Sequence, residues 1–204
     1  MIAVIPLKAE RHPKDLYETP QALANAICGR LAGVLPKPER IIEPSAGGGN
    51  FVRAVRSVWP SAQVWAIDID ANHLDALREA GANSCDAMDF LYAEPPRPPV
   101  SPTLFIGNPP FIDGQGHIEH ALKIMGDGDH LAFLLRLSML GSQERAESLW
   151  AKPGLRFLMP VAQRPSFGLN KHGKPGTDNS EYAVFVWKKG YEGNAELLPH
   201  LWFR

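Results

Sequence analysis

Apolar residues recur along this chain in two rhythms. Short, dense runs rich in β-branched and aromatic residues alternate with stretches in which apolar positions return every three or four residues. The first rhythm fits strands and the second helices. The runs Arg40–Glu43, Gln63–Ile67, Leu104–Gly107, His130–Leu137, Leu155–Met159 and Tyr182–Trp187 read as strands, with a brief one near Asn83–Cys85. Between them, Asn50 to about Val58, Asn72–Ala80, Ile118–Met125 and Gln143–Ala151 read as helices. Asp70 or Asn72 is the expected N-cap of the second of these. Ahead of all of them, Pro20–Leu35 forms an amphipathic helix, with Thr19 as the expected N-cap and Pro20 at the first helical position. Strands that alternate with helices belong in a mostly parallel sheet with helices on both faces, an α/β fold.

Two stretches break the pattern. Glu94–Pro102 holds five prolines and reads as an extended connector. Arg164–Ser180 is rich in Gly, Pro, Lys and Asn and lies between two expected strands. A connection that long inside a compact domain is usually functional or disordered.

Composition adds bounds. The chain has 204 residues, 45% hydrophobic and 21% charged, which suits one globular domain without an internal repeat. No run reaches the roughly 20 apolar residues that span a bilayer. Met1–Pro6 is apolar but has neither a basic leader nor the length of a signal segment. Cys28 and Cys85, the only cysteines, fall in different expected elements and read as small core residues of a cytoplasmic protein. The histidines are scattered and no Cys-x-x-Cys occurs, so no metal site is expected. Net charge is −1, yet the charges are uneven. From Arg136 to Lys189 basic residues prevail (Arg136, Arg145, Lys152, Arg156, Arg164, Lys171, Lys174, Lys188, Lys189), whereas Asp68, Asp70, Asp75, Asp86 and Asp89 crowd the first half. A basic half beside an acidic one suits a nucleic-acid face beside a ligand pocket, and equally an ordinary solvated surface.

The candidate chemistry begins where the first strand turns into a helix. Glu43-Pro44-Ser45-Ala46-Gly47-Gly48-Gly49 lets the backbone turn tightly and approach a ligand with no Cβ in the way. Asp68 ends the second strand about 20 residues later, where a carboxylate can accept from both ribose hydroxyls. The dinucleotide spacing G-x-G-x-x-G is absent, and no Gly-Lys-Ser/Thr follows. A nucleoside ligand without a pyrophosphate remains, and S-adenosylmethionine fits that description.

The most informative residues are Asn108-Pro109-Pro110-Phe111, at the carboxyl end of the fourth strand, where open α/β sheets bind ligands. The amide oxygen of Asn108 and the carbonyl of Pro109 can each accept one N–H of an aromatic amine. Two acceptors out of the ring plane favour a tetrahedral nitrogen whose lone pair turns toward an electrophile. Pro-Pro restricts φ at both positions and so fixes the carbonyl direction. Phe111 offers a flat apolar face to a base.

With these residues the chain resembles the class I S-adenosylmethionine-dependent methyltransferases, and among them the enzymes with an (Asp/Asn)-Pro-Pro-(Tyr/Phe) motif that methylate N6 of adenine in DNA. The resemblance runs from Asp15 to Trp187. It implies a Rossmann-like, mostly parallel seven-stranded sheet with an antiparallel last strand. It also implies that Glu43 holds the methionine end of the cofactor and that Asp89 takes the adenine amino group with Phe90 on the ring, Asp86 being the competitor. Each of these acids taken singly reads equally well as a helix N-cap. Tyr17 and Thr19, in the Asp15–Pro20 segment, together with Ser45, Ala46, Gly47, Asp68, Ile69 and Asn108, complete the implied cofactor contacts. Asn108, Pro109, Pro110 and Phe111 are the implied catalytic set. This motif order matches the gamma type.

The segment Arg164–Tyr182 resembles one in small phage and prophage adenine methyltransferases. It implies Arg164, Lys171 and Lys174 near phosphates and Phe167 near a flipped base. The implied partner is DNA, as a flipped adenine or a single strand, with no membrane involved. One departure stands out: residues 1–204 are expected to form a single catalytic domain, whereas gamma-type enzymes usually carry a separate recognition domain. An RNA adenine-N6 methyltransferase, a protein glutamine-N5 methyltransferase and a catalytically silent nucleic-acid-binding subunit share enough of the pattern to stand as alternatives.

Overall fold

The computed structural model describes residues 18–94, 102–169, 175–177 and 179–204. Tyr17, Lys171 and Lys174, together with most of the proline-rich connector, fall outside the described residues. In chain order the elements are α1 (Gln21–Ala32), β1 (Arg40–Glu43), α2 (Asn50–Val58), β2 (Gln63–Asp68), α3 (Leu74–Glu79), β3 (Ser84–Ala87), β4 (Thr103–Gly107), α4 (Gly114–Ile124), β5 (His130–Arg136), α5 (Gln143–Ser148), β6 (Leu155–Pro160), β7 (Ser166–Leu169), β8 (Pro175–Thr177), β9 (Tyr182–Lys188) and β10 (Glu196–Leu197).

Every expected strand is present in one sheet, ordered β10-β6-β9-β5-β4-β1-β2-β3. The first five run parallel, with Ile41 opposite both Val64 and Leu104. Strand β9 is antiparallel to its two neighbours, β5 and β6, between which it is inserted. The two-residue β10 adds an eighth, parallel strand on the β6 edge. Leu201 continues this edge, its N–H bonding Pro160 O at 2.8 Å and its carbonyl accepting from Ala162 N at 2.9 Å. The long Arg164–Ser180 connection is not structureless, because β7 and β8 form a separate antiparallel hairpin within it.

Strand alternation divides the core into two layers. Leu104, Ile106, Ala132, Leu134, Val184 and Val186 face α1 and α2, whose Leu23, Ile27, Leu31, Phe51, Val52 and Val55 close over them. Phe105, Leu131, Phe133, Leu135, Phe185 and Trp187 face Ile118, Ala121 and Met125 of α4 and Leu149 after α5. A period of two in the strands thus meets a period of 3.6 in the helices on both faces.

Some boundaries move. Helix α1 begins at Gln21 with Pro20 at the N-cap and no side-chain cap, so Thr19 does not cap it. Asp70 does cap the next turn, its carboxylate accepting from Asn72 N at 2.9 Å. Helix α4 starts at Gly114, a full turn before its first strongly apolar residue.

Among the described residues no helix is long and apolar enough to cross a membrane, and no cluster of His, Cys, Asp and Glu could hold a metal ion. Cys28 is buried and Cys85 half-buried, both as free thiols.

Candidate active site

Strand β1 lies between β2 and β4, so chain connections leave it in both directions and a crevice opens at the carboxyl ends of the strands. A cleft partly open to solvent occupies that position. Its walls are Glu18 and Thr19 ahead of α1, Glu43 and Ser45 to Gly48 after β1, Asn50 and Phe51 at the start of α2, and Asn108 to Phe111 after β4.

The glycine loop is built as its composition demands. Gly47 and Gly49 have φ of +49° and +81°, where L side chains are strained. A Cβ on Gly49 would come within 2.9 Å of Ala80 Cβ, and one on Gly48 within 2.7 Å of Glu18 Oε1. Asp68 braces this loop from behind. Fully buried, it accepts from Gly47 N at 2.7 Å and Asp70 N at 2.9 Å, and His73 Nδ1 lies 3.2 Å away. The loop is thereby tied to the end of β2, as is Ala46, whose N–H bonds Ile67 O at 2.9 Å.

Glu43 ends β1 at 3% exposure, with its Oε2 unpartnered among the described residues. Burial, and then the nearby Asp68 carboxylate, push its pKa well above the ordinary value; a bond from Val52 N–H and the more distant Arg53 oppose them. Thr19 lies at 5% exposure with Oγ1 likewise unpartnered. Its backbone is fixed by Asn50, whose Nδ2 donates to Thr19 O at 2.8 Å while Asn50 O accepts from Gln21 Nε2 at 2.9 Å. Buried oxygens normally find partners, so two orphans beside one cleft mark a place for a ligand that brings donors or positive charge.

On the facing wall, Asn108 to Phe111 leave β4 and turn into α4, with Asp113 N–H bonding Pro110 O at 3.2 Å. Phe111 sits in an aromatic cluster, its ring centroid 6.1 Å from Phe167 and 5.8 Å from Tyr182. The Arg136 guanidinium covers one ring face at 4.3 Å, and its Nε bonds Tyr182 Oη at 3.4 Å. Phe167, from β7, is buried and edge-on to Tyr182 at 5.0 Å. Strand β7 therefore reaches the wall formed by Asn108 to Phe111.

The structure brings together Thr19, Glu43, Ser45, Ala46, Gly47 and the Asn108–Phe111 quartet. Asp68 and Ile69 lie outside the cleft lining; Asp68 turns Oδ2 to the glycine loop and Oδ1 to Asp70 and His73. Asp89 caps a 3₁₀ turn, Phe90–Tyr92, accepting from Leu91 N at 3.0 Å. Phe90 is buried between His117 and His120 of α4, at ring distances of 5.6 and 4.9 Å. Arg164 is exposed and paired with Glu181 at 2.6 Å. Sequence reading overlooked Glu18, Asn50, Phe51, His117 and Arg136 as site neighbours. Arg136 carried a usable signal, a lone charge at the carboxyl end of an apolar strand; the others become neighbours only through the fold.

No family model matches the chain. The type II methyltransferase M.NspV of Nostoc sp. is 34% identical over 64 residues, 31% of this chain and 13% of the relative. M.XamI of Xanthomonas campestris pv. amaranthicola is 35% identical over 81 residues, 37% of this chain and 15% of the relative. M.CvrRI of Paramecium bursaria Chlorella virus XZ-6E is 25% identical over 113 residues, 55% and 28% respectively. The matches thus span no more than 28% of the length of these curated relatives. Among solved structures, a putative class I S-adenosylmethionine-dependent methyltransferase of Listeria monocytogenes superposes with a TM-score of 0.65 at 15% identity, over 95% of this chain and 68% of that one. A putative RNA methyltransferase of Pyrococcus horikoshii gives 0.64 at 15%, over 88% and 91%. The fold is that of the class I S-adenosylmethionine-dependent methyltransferases.

Proposed function

We propose that this chain transfers a methyl group from S-adenosylmethionine to the N6 amine of adenine in DNA. The observation that carries the proposal is the Asn108–Phe111 quartet facing the glycine loop and Glu43 across one cleft. The local likeness to type II methyltransferases supports a DNA acceptor. The cleft suits the cofactor on its own chemistry, because the unpartnered Glu43 Oε2 and Thr19 Oγ1 call for a ligand bearing donors and positive charge. Thr19, Glu43 and Ser45 to Gly48 would hold it. When bound, it supplies a methyl group on a positively charged sulfur, an electrophile that needs no acid.

The protein's task is then to prepare the amine. Asn108 Oδ1 and the Pro109 carbonyl accept its two N–H groups and turn its lone pair toward the cleft. Phe111, held by Arg136, Phe167 and Tyr182, receives the base face. Most of the acceleration comes from alignment in a cleft shielded from water. Extracting the base from a duplex costs a few kcal/mol, so single strands or mismatched sites react faster than paired ones.

The test is transfer of labelled methyl to duplex DNA, single-stranded DNA, RNA and protein, with digestion to identify the product. N6-methyladenine from DNA that disappears in Asn108→Ala, with cofactor binding retained, is the expected outcome. Full activity in Asn108→Ala defeats the mechanism, and label only in RNA or in glutamine moves the acceptor. No cofactor binding at all leaves a silent nucleic-acid-binding subunit.

A further inference from the structure

His117 is the best-connected side chain near the site that the proposed chemistry leaves unused. It stands one turn into α4, which follows the Asn108–Phe111 segment, and is 6% exposed. Its Nδ1 lies 3.0 Å from Asp113 O and its Nε2 3.3 Å from Ser45 Oγ. Its ring lies tilted by 30° against Phe90 at 5.6 Å, while His120 meets the same ring edge-on and anchors to Ala93 O at 2.9 Å. The imidazole is wedged between the glycine loop and the Phe90 turn.

The two contacts fix where the proton sits. A backbone carbonyl can only accept, so Nδ1 carries the hydrogen and donates to Asp113 O. Burial pushes the pKa of His117 down, with the neighbouring His120 acting the same way; the Asp113 carbonyl, Asp113 and Asp89 act against it. The ring is thus neutral near pH 7, and its lone pair lies on Nε2. Ser45 has a single hydroxyl hydrogen, and that lone pair takes it. What Ser45 offers to the cleft is its oxygen lone pairs.

We propose that His117 is a positioning residue that holds Ser45 as a hydrogen-bond acceptor, so that the cofactor group seated against Ser45 must be a donor: a ribose hydroxyl or an ammonium. This rests on the cofactor reading above and sharpens it. The glycine loop lacks a discriminating side chain apart from Ser45, and a neutral histidine on the neighbouring helix gives that side chain its polarity. Protonation of His117 reverses it. Nε2 then donates to Ser45 Oγ, and the serine proton turns toward the ligand donor.

The test uses S-adenosylhomocysteine, which binds without reacting, and calorimetric Kd values for wild type, Ser45→Ala, His117→Phe and the double variant. Phenylalanine keeps the ring that packs on Phe90 and removes the acceptor. Each single variant should weaken binding about tenfold, the worth of one directed hydrogen bond, and the double variant should weaken it no further. Wild-type affinity should fall more steeply on the acid side of pH 6.5, the ordinary histidine value, than that of Ser45→Ala, whose remaining pH dependence is that of Glu43 alone. Ser45→Ala changes a half-buried loop residue, so its pH profile decides the matter even if His117→Phe folds poorly. Losses that add in the double variant, or a Ser45→Ala profile parallel to wild type, overturn the proposal. No binding to wild type overturns the cofactor reading itself and this inference with it.

Discussion

At the scale of single residues, the site keeps polar groups in states that folding alone would not choose. Glu43 is the clearest case. Its carboxyl group ionises near 4.5 in the open chain and well above that in the fold, chiefly through burial. Between those two values the folded state binds more protons than the unfolded one, so stability falls as pH rises through that window. Glu43→Gln removes this penalty. The cofactor-free variant should melt higher than wild type at pH 7, with a flatter pH dependence above 4.5, and should bind S-adenosylhomocysteine more weakly. Thermal melts across pH, with and without ligand, check both halves. A Gln variant that melts lower would mean the carboxylate is satisfied in the fold. Stability surrendered at a site that awaits a charged ligand is a common exchange in enzymes.

At the scale of elements, the carboxyl end of helix α2 is stitched to its surroundings by one side chain. Arg56 donates to Gly81 O at 2.6 Å, Ala62 O at 2.7 Å and Pro60 O at 3.2 Å, and its guanidinium also meets Asn83 Oδ1. Since α2 carries Asn50 and Phe51 into the cleft, Arg56→Ala should lower unfolding free energy by about 1–3 kcal/mol and weaken cofactor binding only modestly. Urea titration with unchanged slope would establish the first point; loss below the error of extrapolation would refute it. The same elements show what the sequence could reveal. Strand runs such as Ile41-Ile42 and Leu104-Phe105-Ile106 are legible because burial on both faces leaves no room for polar residues. The glycine loop and the Asn108 quartet are legible because few residue types permit their backbones. The engagement of Asp68 is not legible, because an acid after a strand serves a ribose or a loop N–H equally well, and only the path of Gly47 decides. Phe90 is a similar case, since its neighbours His117 and His120 come from a helix whose glycine-rich first turn hides its start. The strands within Arg164–Ser180 leave no apolar run to read, because glycine and proline mask strand propensity.

At the scale of the molecule, net charge is nearly balanced, so affinity for a polyanion depends on where cations stand. Arg136 ends β5 and Arg164 follows β6, both strands whose carboxyl ends lie on the cleft side of the sheet. Arg164 is paired with Glu181, but both partners are about half exposed, and such pairs are worth roughly 0–1 kcal/mol. Exchange of that partner for a phosphate is therefore cheap. Arg164→Ala should reduce the slope of log affinity against log salt for duplex DNA by about one. An unchanged slope would place this edge away from the phosphates.

The reversed direction of β9 has a consequence for how such a protein can diversify. Strand β6 runs toward the cleft edge and β9 runs away from it, so the connection between Pro160 and Tyr182 leaves and re-enters the sheet beside Phe111. The turns after β1 and β4 share that edge but are fixed by the glycine loop and the Asn108 quartet. The β6–β9 connection meets the quartet through Phe167 against Phe111, and the rest of it works as a socket into which parts of different length can be fitted. A short Gly-Ser insertion after Gln163 should leave the melting temperature and S-adenosylhomocysteine affinity near wild type while changing activity toward DNA. The same insertion after Ser45 should abolish cofactor binding. A lineage built on this scaffold can vary the length of that connection around a fixed Phe167 and leave the cleft wall in place.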